Sequence, residues 1–527
     1  MIKGIALGIA VIFLGVSCTK DLDRAPFYGL TSVEVYKDVP GYRGALAKVY
    51  ASFALTGGTG PAGKPDVAGI DEGTSDFLRL YWNLQVLTTD EAKVAWNDPG
   101  LPELNTISWT AANPMLTGLY NRLYYGISVA NEFIRESSDE KLGSKGFPES
   151  DLTELRYYRA ESRLLRAYSY FVALDLFGNV PFVLDTDPVG TFVPLQINRT
   201  ELFEFVRSEL EAVQSDLKDP RQNEYGRMDK AAAWLLLSRL YLNAEVYTGT
   251  ARYEDAIANA SKVIGAGYHL ESDYQTLFMA DNHIRAGEII YAIPYDGAYA
   301  RNYGGTTFLI HASIGGNMNV TDYGVNSGWG GIRSTKALPA LFGDVDATSD
   351  SRVLFHTDGQ ELDINNLSIF TEGYGVSKFK NVRSDGGAVS DPDKEFTDTD
   401  FPLFRLPEAY FNYAEAVLRG GSGGSASTAL EYINSLRQRA YGGNSGDISA
   451  NELTLDFLLD EKCREMYWEA QRRTDLIRYG RYTGGDYVWP WKGGIRDGRS
   501  VAGYFNLFPI PATDRSANPN LEQNQGY

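Results

Sequence analysis

Apolar residues recur every three or four positions over several long stretches of the 527-residue chain. Across 155–176, Leu155, Tyr158, Leu165, Tyr168, Val172 and Leu176 trace one face of a helix. The run Phe177-Gly178-Asn179-Val180-Pro181 then stops it with a glycine and a later proline. The same period predicts helices over 201–217, 229–247, 253–265, 407–419 and 425–440, and a longer one over 455–479. Small residues such as Ala233, Ala244, Ala256 and Ala260 lie along the apolar faces, where they let a second helix approach closely. Pairs of helices this long, joined by short links, are about the length of a tetratricopeptide repeat. The fold class read from the pattern is therefore mostly α, a tetratricopeptide-like helical-repeat scaffold.

Two stretches break the period. Residues 56–114 are rich in Gly, Pro, Asp and Trp. Residues 281–402 hold short strand-like runs such as Ile289-Ile290-Tyr291-Ala292-Ile293 between Gly and Asp clusters. From Tyr303 to Gly331 there are eight glycines, a loop composition. Long irregular loops in a compact domain usually carry function. The expected organisation is a single domain over 18–527, with its helical frame mainly in 115–280 and 403–480. Loop-rich, site-bearing regions fall at 50–114 and 281–402.

Charge and composition narrow the function. With 49 basic and 68 acidic residues the net charge is −19, so no basic stripe is available for nucleic acid. The chain holds 34 Tyr, 25 Phe and 8 Trp, and rings with a flat apolar face and a polar edge suit an amphipathic ligand. Two cysteines, Cys18 and Cys463, and four widely spaced histidines leave no zinc-ligand pattern. Phosphate loops, dinucleotide turns and nucleophile elbows are absent as motifs. No cofactor is expected. The Asp- and Gly-rich stretch 343–400 has oxygen ligands suited to calcium but lacks EF-hand spacing, so a solvated loop is the expectation.

The N-terminus reads as a targeting segment. Lys3 precedes an apolar run from Gly4 to Val16, too short to span a bilayer and proportioned like a secretory core. It ends at Val16-Ser17-Cys18, which resembles a bacterial lipobox. Residues 1–17 are thus a lipoprotein signal peptide, and Cys18 is the lipidated residue. An ordinary secretory peptide with an incidental cysteine is the alternative.

Several motifs carry a resemblance. The stretch Arg163-Leu164-Leu165-Arg166-Ala167-Tyr168 running into Asp175-Leu176-Phe177-Gly178-Asn179-Val180-Pro181 resembles the signature of the SusD/RagB family. Phe404-Arg405-Leu406-Pro407-Glu408-Ala409-Tyr410, Glu469-Ala470-Gln471-Arg472-Arg473-Thr474-Asp475-Leu476 and the ending Phe508-Pro509-Ile510-Pro511 are similar to it as well. The resemblance implies a non-catalytic outer-membrane lipoprotein at the cell surface. It would bind starch or maltooligosaccharides and act as the lid of a SusC-like TonB-dependent transporter. It implies an aromatic arc of Trp96 (after Thr89-Asp90-Glu91), Tyr303 (in Asn302-Tyr303-Gly304-Gly305) and Trp329 (in Gly328-Trp329). Asp71 and Arg79 would bond sugar hydroxyls, with Asn97 as a further amide.

The residues themselves permit other readings. Trp96 precedes the turn Asn97-Asp98-Pro99-Gly100, and Tyr303 and Trp329 have glycine neighbours that cannot cover a ring. Each could instead cap a local core. The acids Asp71-Glu72, Asp76 beside Arg79, and Asp90-Glu91 raise the possibility of a paired-carboxylate glycosidase. Solvated acids, or acceptors for sugar hydroxyls, are the plainer interpretation. A helical-repeat interaction scaffold and a protein for a different glycan complete the alternatives. Cys463, within a helix over 460–473, is expected in the core.

Overall fold

A computed structural model describes residues 32–61, 63–190 and 192–527. The signal segment 1–17 and Cys18 lie outside the described residues. The principal helices are α1 (Val39–Ala54), α2 (Phe77–Trp82), α3 (Pro114–Glu136), α4 (Glu149–Leu176), α5 (Arg199–Val213), α6 (Lys230–Leu242) and α7 (Tyr253–Ile264). They continue with α8 (Gly305–Ala312), α9 (Leu406–Leu418), α10 (Ala426–Tyr441), α11 (Leu455–Met466) and α12 (Arg472–Arg478). Four strands matter here: β1 (Ala92–Val94), β2 (Ile289–Ile293), β3 (Ile332–Ser334) and β4 (Phe401–Arg405).

The frame is a row of helices, each packed on its neighbour: α3 on α4, α4 on α5, α5 on α6, α6 on α7, α7 on α9 and α9 on α10. Periodicity explains the row. In α7 the buried apolar side chains are Ala256, Ile257, Ala260 and Val263, one face of the helix. Central α6 is buried almost all round, and its Ala231, Ala232 and Ala233 admit neighbours at close range. Asp229 starts it by accepting from the Ala231 and Ala232 amides. At the far end of α4, Gly178 takes φ +75°, the left-handed turn expected of a helix stop.

Two expected helices are interrupted. The 229–247 helix ends at Leu242 and resumes as a short turn over Ala244–Thr248. Between them, the Asn243 side chain donates to the Arg239 carbonyl and accepts from Arg478. The 455–479 helix breaks between α11 and α12, where Trp468 and Ala470 adopt φ of 67° and 59°. The break has a physical cause in its partners. Trp468 donates its amide to Glu91, and its carbonyl accepts from Trp82, while the Tyr467 carbonyl accepts from Lys378. Tertiary partners satisfy backbone groups that a continuous helix would have used.

The 56–114 stretch also departs from expectation. Helix α2 and a π-helical turn over Asn83–Leu87 run through it and are almost wholly buried. Trp82 packs edge-on against Trp468 and Phe308, so this segment belongs to the core. Cys463 is also in the core, as expected.

The 281–402 excursion is clamped at its base. Strands β2 and β4 pair antiparallel, bringing the start and end of the excursion together. Beside them sits a buried ionic cluster. Arg405 pairs with Glu288 and Glu465 at 2.8 and 2.7 Å and with Glu469 at 2.7 Å, and Arg352 pairs with Asp350 and Glu461. Strand β1 pairs antiparallel with β3, which stitches the first excursion to the second. Among the described residues, no helix is long and apolar enough to cross a membrane. Nor is any group of three or more His, Cys, Asp or Glu arranged to hold a metal ion, and that includes the 343–400 loop.

Candidate functional site

The β1–β3 pairing decides where Trp96 goes. The Ala95 amide donates to the Gly331 carbonyl at 2.7 Å, so the chain leaves β1 beside the Trp329-Gly330-Gly331 strip. That strip is itself held by the C-terminal end of α8. Trp329 donates to the His311 carbonyl at 2.7 Å, Gly330 to Ile314 at 2.7 Å and Gly331 to Ala312 at 2.8 Å. A helix end leaves carbonyls without intrahelical partners, and here a loop supplies three amides at or just beyond it.

Three of the expected rings come together as a result. Trp96 and Trp329 have centroids 6.4 Å apart with planes 43° apart, and Trp329 and Tyr303 are 6.4 Å apart at 53°. Successive tilts of this size make a stepped surface, not a flat one. All three rings are partly exposed. Two of them have their polar edges fixed: the Trp96 indole nitrogen donates to the Trp329 carbonyl at 3.1 Å, and the Tyr303 hydroxyl donates to Glu395 at 2.6 Å. That bond to Glu395, with burial, raises the Tyr303 hydroxyl above the usual phenol range.

Arg79 lies against the same group. Its guanidinium is 5.7 Å from the Trp96 ring and 4.5 Å from Phe308, within cation–π range. Nη1 donates to the Gly73 and Tyr303 carbonyls at 2.9 and 3.2 Å, while Nε is buried and has no protein partner. Burial pushes the guanidinium down to about 10 against the pull of Asp76, Asp98 and Asp71, so it stays charged at neutral pH. Asp71 is exposed and uses one oxygen to accept from the Gly73 amide at 2.9 Å. Asn97 is exposed beside Trp96, with no hydrogen bond from its side chain among the described residues.

The acid pairs separate into different roles. Asp76 is buried, capping α2 by accepting from the Arg79 amide and accepting also from Gly305. Asp90 is buried in an ion pair with Arg472 at 2.7 Å and also accepts from Tyr487. Glu91 is buried against the Trp468 amide, and burial pushes its carboxyl up to about 8. Of the three pairs raised as possible glycosidase machinery, Asp90-Glu91 and Asp76 are thus corrected to structural duties. All three carboxylates are buried, out of reach of a substrate at the surface. Asp71 remains exposed.

Sequence reasoning missed several members of the group. Phe308 and His311, one helical turn apart on α8, sit behind the rings. His311 stacks on Trp329 at 4.7 Å and 24°, and Phe308 lies 6.2 Å from Trp96. Phe396 backs Tyr303 at 5.2 Å. The i, i+3 spacing of Phe308 and His311 was a usable signal, whereas Glu395 and Phe396 lie in a loop whose sequence gives none.

A sequence profile described as the SusD family matches residues 344–527. The starch-binding protein SusD of Bacteroides thetaiotaomicron is 37% identical, in an alignment covering 98% of this chain and 97% of that protein. A solved SusD homolog from the same species superposes with a TM-score of 0.73 at 20% identity, covering 94% of this chain and 99% of that one. A laminarin-binding SusD-like protein gives 0.69 at 20%, covering 93% and 100%. These solved structures share the helical fold described above.

Proposed function

Since the chain belongs to the SusD family, we propose that it binds starch or maltooligosaccharides through the arc of Trp96, Trp329 and Tyr303, without hydrolysing them. The observation that carries this reading is the convergence with Arg79 of three partly exposed rings, of which Trp96 and Trp329 are 233 residues apart. A glucose ring has an apolar C–H face and a rim of hydroxyls. Stepped aromatic faces suit successive sugars of a curved chain, and the hydroxyls then meet Asp71, the free edge of Arg79 and Asn97. Holding the rings by hydrogen bonds before the ligand arrives limits the ordering cost of a weak interaction. The relative named as starch-binding favours starch. The laminarin-binding neighbour keeps a different glycan as the second reading.

Electrophoresis through gels containing starch, pullulan or an unrelated glycan tests the substrate. Retardation in starch is expected, and its absence would remove the starch assignment. The remaining parts of the reading are cellular. Cys18 carries the lipid, the protein faces outward from the outer membrane, and a SusC-like TonB-dependent transporter receives the glycan. The lipobox-like Val16-Ser17-Cys18 and the family support this. Cys18→Ala should yield a released, soluble form, and a transporter barrel should co-purify from membranes. A membrane-bound Cys18→Ala protein, or a native protein free of any barrel, counts against these parts.

A further inference from the structure

We propose that His311 is a positioning residue of the site, holding the 327–329 loop so that the far face of Trp329 stays open to a sugar. The proposal rests on the glycan-binding reading of the arc. His311 is 1% exposed and reaches the loop in three ways. Its imidazole lies nearly parallel to the Trp329 ring at 4.7 Å, covering one face of it. Its Nδ1 is 2.7 Å from the Ser327 carbonyl, which can only accept, so Nδ1 carries a proton and donates. Its own backbone carbonyl accepts the Trp329 amide at 2.7 Å.

These contacts fix both ends of the tripeptide Ser327-Gly328-Trp329. Gly328 between them is exposed and has no side chain to anchor it. A phenylalanine at 311 would supply the stacking face alone, and an asparagine would supply the donor alone. Imidazole supplies both.

The test is a double-mutant cycle read by calorimetry with maltoheptaose and by retardation in starch gels. His311→Ala should weaken binding by about tenfold in the native background and cause no further loss in Trp329→Ala, because coupled residues are non-additive. Amide hydrogen exchange over 327–331 should quicken. His311→Asn, which keeps the donor, should recover part of the affinity, and it replaces the alanine variant if that one does not fold. Unchanged affinity in His311→Ala, or the same loss with Trp329 already removed, would overturn the proposal. If the native protein binds neither ligand, the glycan reading fails by itself. The exchange measurement still decides the positioning role, which unchanged rates over 327–331 would refute.

Discussion

At the level of single residues, the proposed site depends on how its rings are anchored. Trp96 and Trp329 both offer an indole face, and Trp96 also donates to the Trp329 carbonyl and lies under Arg79. Trp96→Ala is expected to cost on the order of 1–3 kcal/mol of binding, more than Tyr303→Ala, because stacking and the hold on Trp329 go together. Calorimetry with linear and cyclic maltooligosaccharides measures this, and near-native affinity in all three ring variants would dismiss the arc. Gly331 gives a sharper case. A β-carbon there would collide with the six-membered ring of Trp96. Gly331→Ala should therefore displace the indole and weaken glycan binding about as much as Trp96→Ala, with the melting temperature nearly unchanged. A variant that binds normally would place the ring elsewhere. Arg79→Ala differs from both, since its guanidinium ties the Gly73 and Tyr303 carbonyls together and its loss should lower stability as well as affinity.

Among the elements, the break between α11 and α12 gathers buried polar contacts from distant parts of the chain. Glu91 accepts the Trp468 amide at 3.0 Å, and burial raises its carboxyl to about 8. A folded-state value above the unfolded one of about 4.3 means that the stabilisation is complete below pH ~4 and is lost as pH rises toward 8. Glu91→Gln keeps a carbonyl oxygen for the amide and removes the ionisation. The variant should melt higher than the native protein at pH 8 and about equally at pH ~4, as followed by circular dichroism. Equal melting at both values would show that Glu91 is not buried as its carboxylic acid.

For the molecule as a whole, two sets of buried acids act in opposite directions. Burial alone would raise Glu461, but Arg352, Arg464 and Arg437 more than offset it and bring it down to about 2. Glu465 is likewise held below the usual range, by Arg439, Arg405 and Arg352. Stability from such depressed carboxyls is present above their unfolded values and is lost as pH falls below about 4.5. Burial raises Asp400 to about 7, and with Glu91 it erodes stability as pH rises through 7 to 8. Thermal stability should therefore peak near pH ~5 and decline on both sides. A plateau from pH 4 to 8 would contradict this. Arg405→Met should lower stability at every pH in that range. It leaves Glu465 and Glu469 buried beside the lost charge, and breaking such a pair costs about 3–5 kcal/mol.

The sequence by itself determined the helices of the frame, because their apolar period, Asp229 at a start and Gly178 at a stop are local properties of the chain. It also placed Trp96, Tyr303 and Trp329 on glycine- and turn-rich segments, where rings stay partly uncovered. Local patterns could not reveal that α2 and the following turn are core, since a Gly- and Asp-rich flank hides a buried run whose partners, Trp468 and Phe308, are hundreds of residues away. Nor could they show Asp90 and Glu91 turned inward, because adjacent acids read alike until Arg472 and the Trp468 amide are in place. The arc exists only because β1 pairs with β3 and the 329–331 strip caps α8. Both are backbone hydrogen bonds between distant segments. They carry no signature in either segment alone, so their formation was decided by the tertiary structure.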